Sequence, residues 1–164
     1  MGKTIWELAV IYARIALGSW MIVNGLNHWI DIFPQPLGNN VAWASYMVAL
    51  IDTGMFGLVK FLEIIGGAML IFNIFVPLAL MILMPLSAVI IYNGGYLAGK
   101  WFEPFYMGTH CFYLNAFLMV AYAKYYFPML GFNADPGTPK DLAQLPVALR
   151  GVPASVVVNA NKAA

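Results

Sequence analysis

Three charged residues fall within stretches apolar enough to cross a lipid bilayer: Arg14, Lys60 and Glu63. A charge in that setting costs several kcal/mol unless it is paired or reaches water, so each is a candidate for function. Asn24, His28, Asn93, His110 and Asn115 are the uncharged polar side chains that belong with them. Ion pairing, hydrogen bonding to a buried ligand, and ligation by histidine are the chemistries these types can perform. Ligation is the weakest of the three. His28 and His110 lack an HxxxH spacing and an acid at fixed distance, and a histidine near a helix end is usually a hydrogen-bonding residue. The single cysteine, Cys111, has no partner for a disulfide or a metal motif and reads as a buried structural thiol. No metal or haem motif is present.

The elements that must position these residues follow from composition. Of 164 residues, 62% are hydrophobic and 9% charged, and the mean hydropathy is +0.78. Aromatics make up 15% of the chain and there are ten methionines. This is the composition of an integral membrane protein rather than of a soluble domain. A net charge of +1 suggests neither nucleic-acid binding nor steering of acidic substrates. No Asp, Glu, Lys or Arg occurs from 64 to 99, which suits two spans joined near Asn73–Pro77.

The expected fold is all-α, a bundle of four transmembrane helices at about 5–27, 57–74, 76–98 and 106–127. Together they form a domain over 1–130. Glu7 and Arg14 interrupt the first apolar stretch and no cleavage pattern follows it, so it reads as a retained span. Trp6, Trp20, Trp29, Trp101, Tyr122, Tyr125 and Tyr126 fall near span ends, as an interfacial belt would. Pro85 should kink the third span. Lys3, Lys124, Lys140, Arg150 and Lys162 lie on one side and only Lys100 on the other, which places both termini in the cytoplasm. After the turn-rich 33–40 stretch, Val41–Ile51 reads as a short outer-loop helix lying on or dipping into the surface. Residues 131–164, rich in Pro and Ala, read as an irregular cytoplasmic tail.

Depth follows from a rise of about 1.5 Å per residue across an apolar layer about 30 Å thick. Arg14 then lies near mid-membrane, with Lys60 and Glu63 roughly 5 and 9 Å below the outer surface. The gap of about 7 Å predicts an interhelical Arg14–Glu63 pair, structural first and functional second. Lys60 either joins that pair as a third member or snorkels to the interface. Asn24, Asn27, His28, Asn93, His110 and Asn115 all fall in the outer half, which reads either as helix-to-helix glue or as an outward-facing polar pocket. Asn24, His28, Lys60, Asn93, His110 and Asn115 are its candidate ligand-binding residues.

Arg14-Ile15-Ala16-Leu17-Gly18 with Asn24-Gly25-Leu26-Asn27-His28 resembles the opening of DoxX-like membrane proteins. Lys60-Phe61-Leu62-Glu63-Ile64-Ile65-Gly66-Gly67 is similar to that family's second span, Asn73-Ile74-Phe75-Val76-Pro77 to its tight second turn, and Ala123–Leu130 to the end of its longer members. The resemblance covers about 10–130. It implies a four-helix protein of the bacterial inner membrane linked to quinone-coupled or thiol redox chemistry, with quinone as the ligand to consider. Catalysis does not carry over, since the chain has no cysteine pair and no catalytic constellation. Two other functions compete: a non-catalytic accessory subunit with protein partners in a larger membrane complex, and a small transporter or channel.

Overall fold

The computed structural model describes residues 4–34, 40–97 and 107–130. It divides into two compact units, Met1–Pro128 and Met129–Ala164, and only Met129 and Leu130 of the second are described. The proposed tail, Trp101, Lys100 and the remaining terminal lysines therefore lie outside the described residues.

Among the described residues the protein is all-helical. Helix α1 covers Ile5–Ile30 and opens with a capping box in which Thr4 and Glu7 satisfy each other's backbone N–H groups. It closes at Asp31, whose left-handed backbone (φ 49°) returns an N–H to the Asn27 carbonyl. Helix α2, Val41–Asp52, begins where the Asn40 side chain accepts from the Ala42 and Trp43 amides. Gly54 (φ 76°) then breaks the chain, and α3, Met55–Phe72, leaves at 87° to α2.

Asn73 (φ 59°) and Phe75 (φ 49°) turn the chain tightly into α4, Val76–Ile91, with Pro77 in its first turn, where a missing N–H costs nothing. Helix α4 runs through Pro85 without interruption and continues as a π-helix over Tyr92–Leu97. Helix α5, Met107–Ala121, ends in a 3-10 turn at Ala123–Tyr125, where the Tyr126 hydroxyl donates to the Pro77 carbonyl. The last helix thus stops short of the expected 127.

Among the described residues, two helices, α1 and α4 with its continuation, are long and apolar enough to cross a membrane on their own; α2 with α3 passes only as a pair, across the 87° break. This supports a membrane protein. Helix α3 packs along α1 through an exchange of glycines. A Cβ on Gly18 would meet the Gly67 carbonyl at 2.8 Å, and one on Gly67 would meet the Gly18 carbonyl at 2.6 Å. A Cβ on Gly25 would meet the Lys60 carbonyl at 2.8 Å, which fixes the register of the two helices.

Buried stripes on α1 (Ala13, Leu17, Met21), α3 (Leu70), α4 (Val76, Ala79, Leu80, Leu83) and α5 (Cys111, Leu118) form the core. Trp20 is not at a helix end. It lies within α1, packs against this core and stacks on Phe33 with parallel rings 6.3 Å apart. The reason is that α1 continues to Ile30, so position 20 falls well inside it.

Candidate functional site

The buried face of α3 carries Phe56, Lys60, Glu63, Gly66, Gly67 and Leu70, a spacing of three and four residues that points one stripe inward. Two charges therefore enter the interior together. Lys60 Nζ donates to Glu63 Oε2 at 2.9 Å, with the residues 5% and 2% exposed. The ammonium also lies over the Phe56 ring, 5.1 Å from its centre. Lys60 pairs within its own helix and does not snorkel.

The expected Arg14–Glu63 pair does not form. Arg14 Nη1 instead donates to Asn73 Oδ1 and, at 3.5 Å, to the Tyr122 hydroxyl. The register gives the reason. With Gly18 opposite Gly67 and Gly25 opposite Lys60, Glu63 stands level with Met21 and Ile22, about 11 Å along the axis from Arg14. Asn73 lies only about 3 Å, roughly half a turn, beyond the α3 residue that Arg14 faces. The guanidinium reaches the near end of the bundle, and Glu63 takes the lysine one turn away.

Around Lys60–Glu63 the neighbouring helices supply further polar groups. Gly66 lets the Leu83 side chain in, since a Cβ there would meet it at 2.8 Å. Ser87, one turn past Leu83, thus lies about level with Glu63. The Ser87 hydroxyl donates to the Leu83 carbonyl at 2.9 Å and accepts from Asn115 Nδ2 at 3.3 Å. Cys111, Asn115 and Leu118 share the buried stripe of α5, all fully buried. Three buried side-chain polar atoms among the described residues lack a hydrogen-bond partner: Arg14 Nε, Trp20 Nε1 and Asn115 Oδ1.

Of the six candidate binding residues, the structure brings Lys60 and Asn115 into this interior layer. His28 stands one step away, edge-on to Phe56 with ring centres 5.1 Å apart. Asn24 and His110 are half-buried on α1 and α5. Asn93 turns its amide back to the Val89 carbonyl, 2.7 Å away, and is occupied by its own helix. It is the second residue of the π-helical segment, whose Gly94 and Gly95 are buried; such segments recur at functional sites.

Sequence reasoning missed Ser87 and Thr109 as buried polar residues and gave Asn27 no separate role. Asn27 clamps the backbone of Phe33 at two points, donating to its carbonyl at 2.9 Å and accepting from its N–H at 2.7 Å. Its signal was its place one turn after Asn24, on the face that Gly25 brings against α3. Ser87 carried a weaker one, a lone hydroxyl on the Leu83–Ile91 stripe. Compared with family models, curated proteins and solved structures, the chain matches none.

Proposed function

We propose that this is a DoxX-like four-span protein of the bacterial inner membrane, with both termini cytoplasmic, that binds a small lipid-soluble quinone-type molecule at the Lys60–Glu63 layer. The observation that carries this reading is the ion pair itself, buried at 5% and 2% exposure in the half of the bundle that also holds Asn27, Ser87, Thr109 and Asn115. Charges sunk into an apolar helix are expensive, and well-packed apolar residues of similar volume often match or exceed the stability of a buried pair. Stability alone does not account for keeping them.

Chemistry supports the ligand class. Lys60 commits one N–H to Glu63 and retains two, the type of donor a ring carbonyl accepts from. Phe56, Met21 and Ile91 offer the apolar contacts a ring needs. The Lys60-to-Gly67 segment that carries the family resemblance is also the segment that turns both charges and both glycines inward.

The test is a titration of the full-length protein in detergent with a short-chain benzoquinone and, separately and anaerobically, with its hydroquinone, read as a thermal shift. Wild type should be stabilised by at least one of the two, whereas Lys60→Met/Glu63→Leu should remain folded and lose the shift. A double variant that still responds, or a wild type that responds to neither, overturns the proposal.

A further inference from the structure

The hydrogen-bond chain through Ser87 has a direction, and that direction restricts what the layer can bind. A serine hydroxyl has one proton, and Ser87 gives it to the Leu83 carbonyl at 2.9 Å. Its oxygen is then only an acceptor toward α5, so the Asn115 amide must present Nδ2, which it does at 3.3 Å. Asn115 Oδ1 is consequently turned away from Ser87. It is buried in a residue with 0% exposure and has no partner. A buried acceptor without a donor is costly, and only a donating group relieves it.

We infer that the site takes its ligand in a hydroxyl-bearing form, with an O–H donating to Asn115 Oδ1, and disfavours the carbonyl-only form of the same ring. The inference deepens the quinone-type reading above and rests on it: of a redox pair, the hydroquinone is bound and the quinone is the weaker ligand. A carbonyl oxygen set against Asn115 Oδ1 places acceptor against acceptor, while a hydroxyl donates to it. Sites built to hydrogen-bond a hydroxyl reject analogues that lack it far more strongly than apolar pockets reject a missing methylene.

The measurement is anaerobic calorimetric titration of the full-length protein in detergent with tetramethylhydroquinone, tetramethylbenzoquinone and the dimethyl ether of the hydroquinone. The hydroquinone should bind at least about tenfold more tightly than the other two, the ether showing that the donated proton and not ring shape decides. Asn115→Leu should drop the hydroquinone to the level of the quinone. Ser87→Ala, a milder change, frees the amide to turn either way and should raise quinone affinity to within about threefold of the hydroquinone. Equal or tighter binding of the quinone by wild type, or a preference that survives both variants, overturns this inference while leaving the quinone-type reading in place. No binding by any of the three overturns both.

Discussion

The two ends of the helix bundle are built on opposite plans. Toward the α3–α4 turn the interior among the described residues is Leu17, Leu70, Val76, Ala79, Leu80 and Leu118, and the charge nearest it, Arg14, leaves the core to meet Asn73 and Tyr122 at the edge. Toward the α2 loop the interior holds Asn27, Lys60, Glu63, Ser87, Thr109 and Asn115. At the turn end the arginine is half-buried and meets partners at the rim, so the cost of desolvating it is moderate. At the loop end two charges sit on one inward stripe and can only be tolerated by meeting each other. The difference shows that position on the stripe, not depth alone, decides whether a charge escapes the interior or is held in it.

Single substitutions can break that comparison. The largest effect is expected from Lys60→Met, which strands a buried carboxylate and should cost about 3–5 kcal/mol in detergent unfolding, while the added Glu63→Leu should restore most of it. If the single variant is as stable as wild type, Glu63 is not confined as the structure has it. Leu80→Ala at the turn end should cost about 2–5 kcal/mol as a cavity while leaving ligand affinity unchanged, because that half contributes packing only. A loss of binding in that variant would erase the distinction between the ends.

Smaller effects sharpen the boundary. Gly67→Ala pushes a methyl onto the Gly18 carbonyl and should cost about 1–3 kcal/mol, whereas Gly66→Ala meets only the movable Leu83 side chain and should cost less. The order of their melting temperatures is the readout. Asn73→Ala removes an acceptor from Arg14 and a residue suited to φ 59°, for about 1–2 kcal/mol, and Asn73→Gly should recover the backbone part of it. Least of all, Asn40→Ala should cost about 1 kcal/mol and increase hydrogen exchange in α2 alone.

Local signals were legible where local chemistry decides. The turn-rich 33–40 stretch and the apolar run after it marked α2, and Asn73 with Pro77 marked the tight turn, because turn and φ preferences act within a few residues. That Lys60 and Glu63 share a face followed from their spacing. The partner of Arg14 was not legible. It depends on how far α1 slides along α3, and that register is set by backbone contact at Gly18, Gly25 and Gly67, which hydropathy does not record. Trp20 was misplaced for a related reason: a tryptophan stacked on Phe33 looks, in sequence, like one anchoring an interface. Ser87 was easily passed over because a hydroxyl bonded to its own helix leaves the apolar pattern undisturbed.

The glycine exchange between α1 and α3 also sets an order of events in time. The first helix is made with its notched face exposed, and the helix that fills the notch emerges about fifty residues later, after the loop and α2. At roughly 5–20 residues per second, the ribosome leaves α1 waiting some 2–10 seconds for its closest neighbour. During that interval its glycine face is open to lipid or to any other passing helix, so α1 must be a stable solitary guest of the bilayer before it becomes part of a bundle.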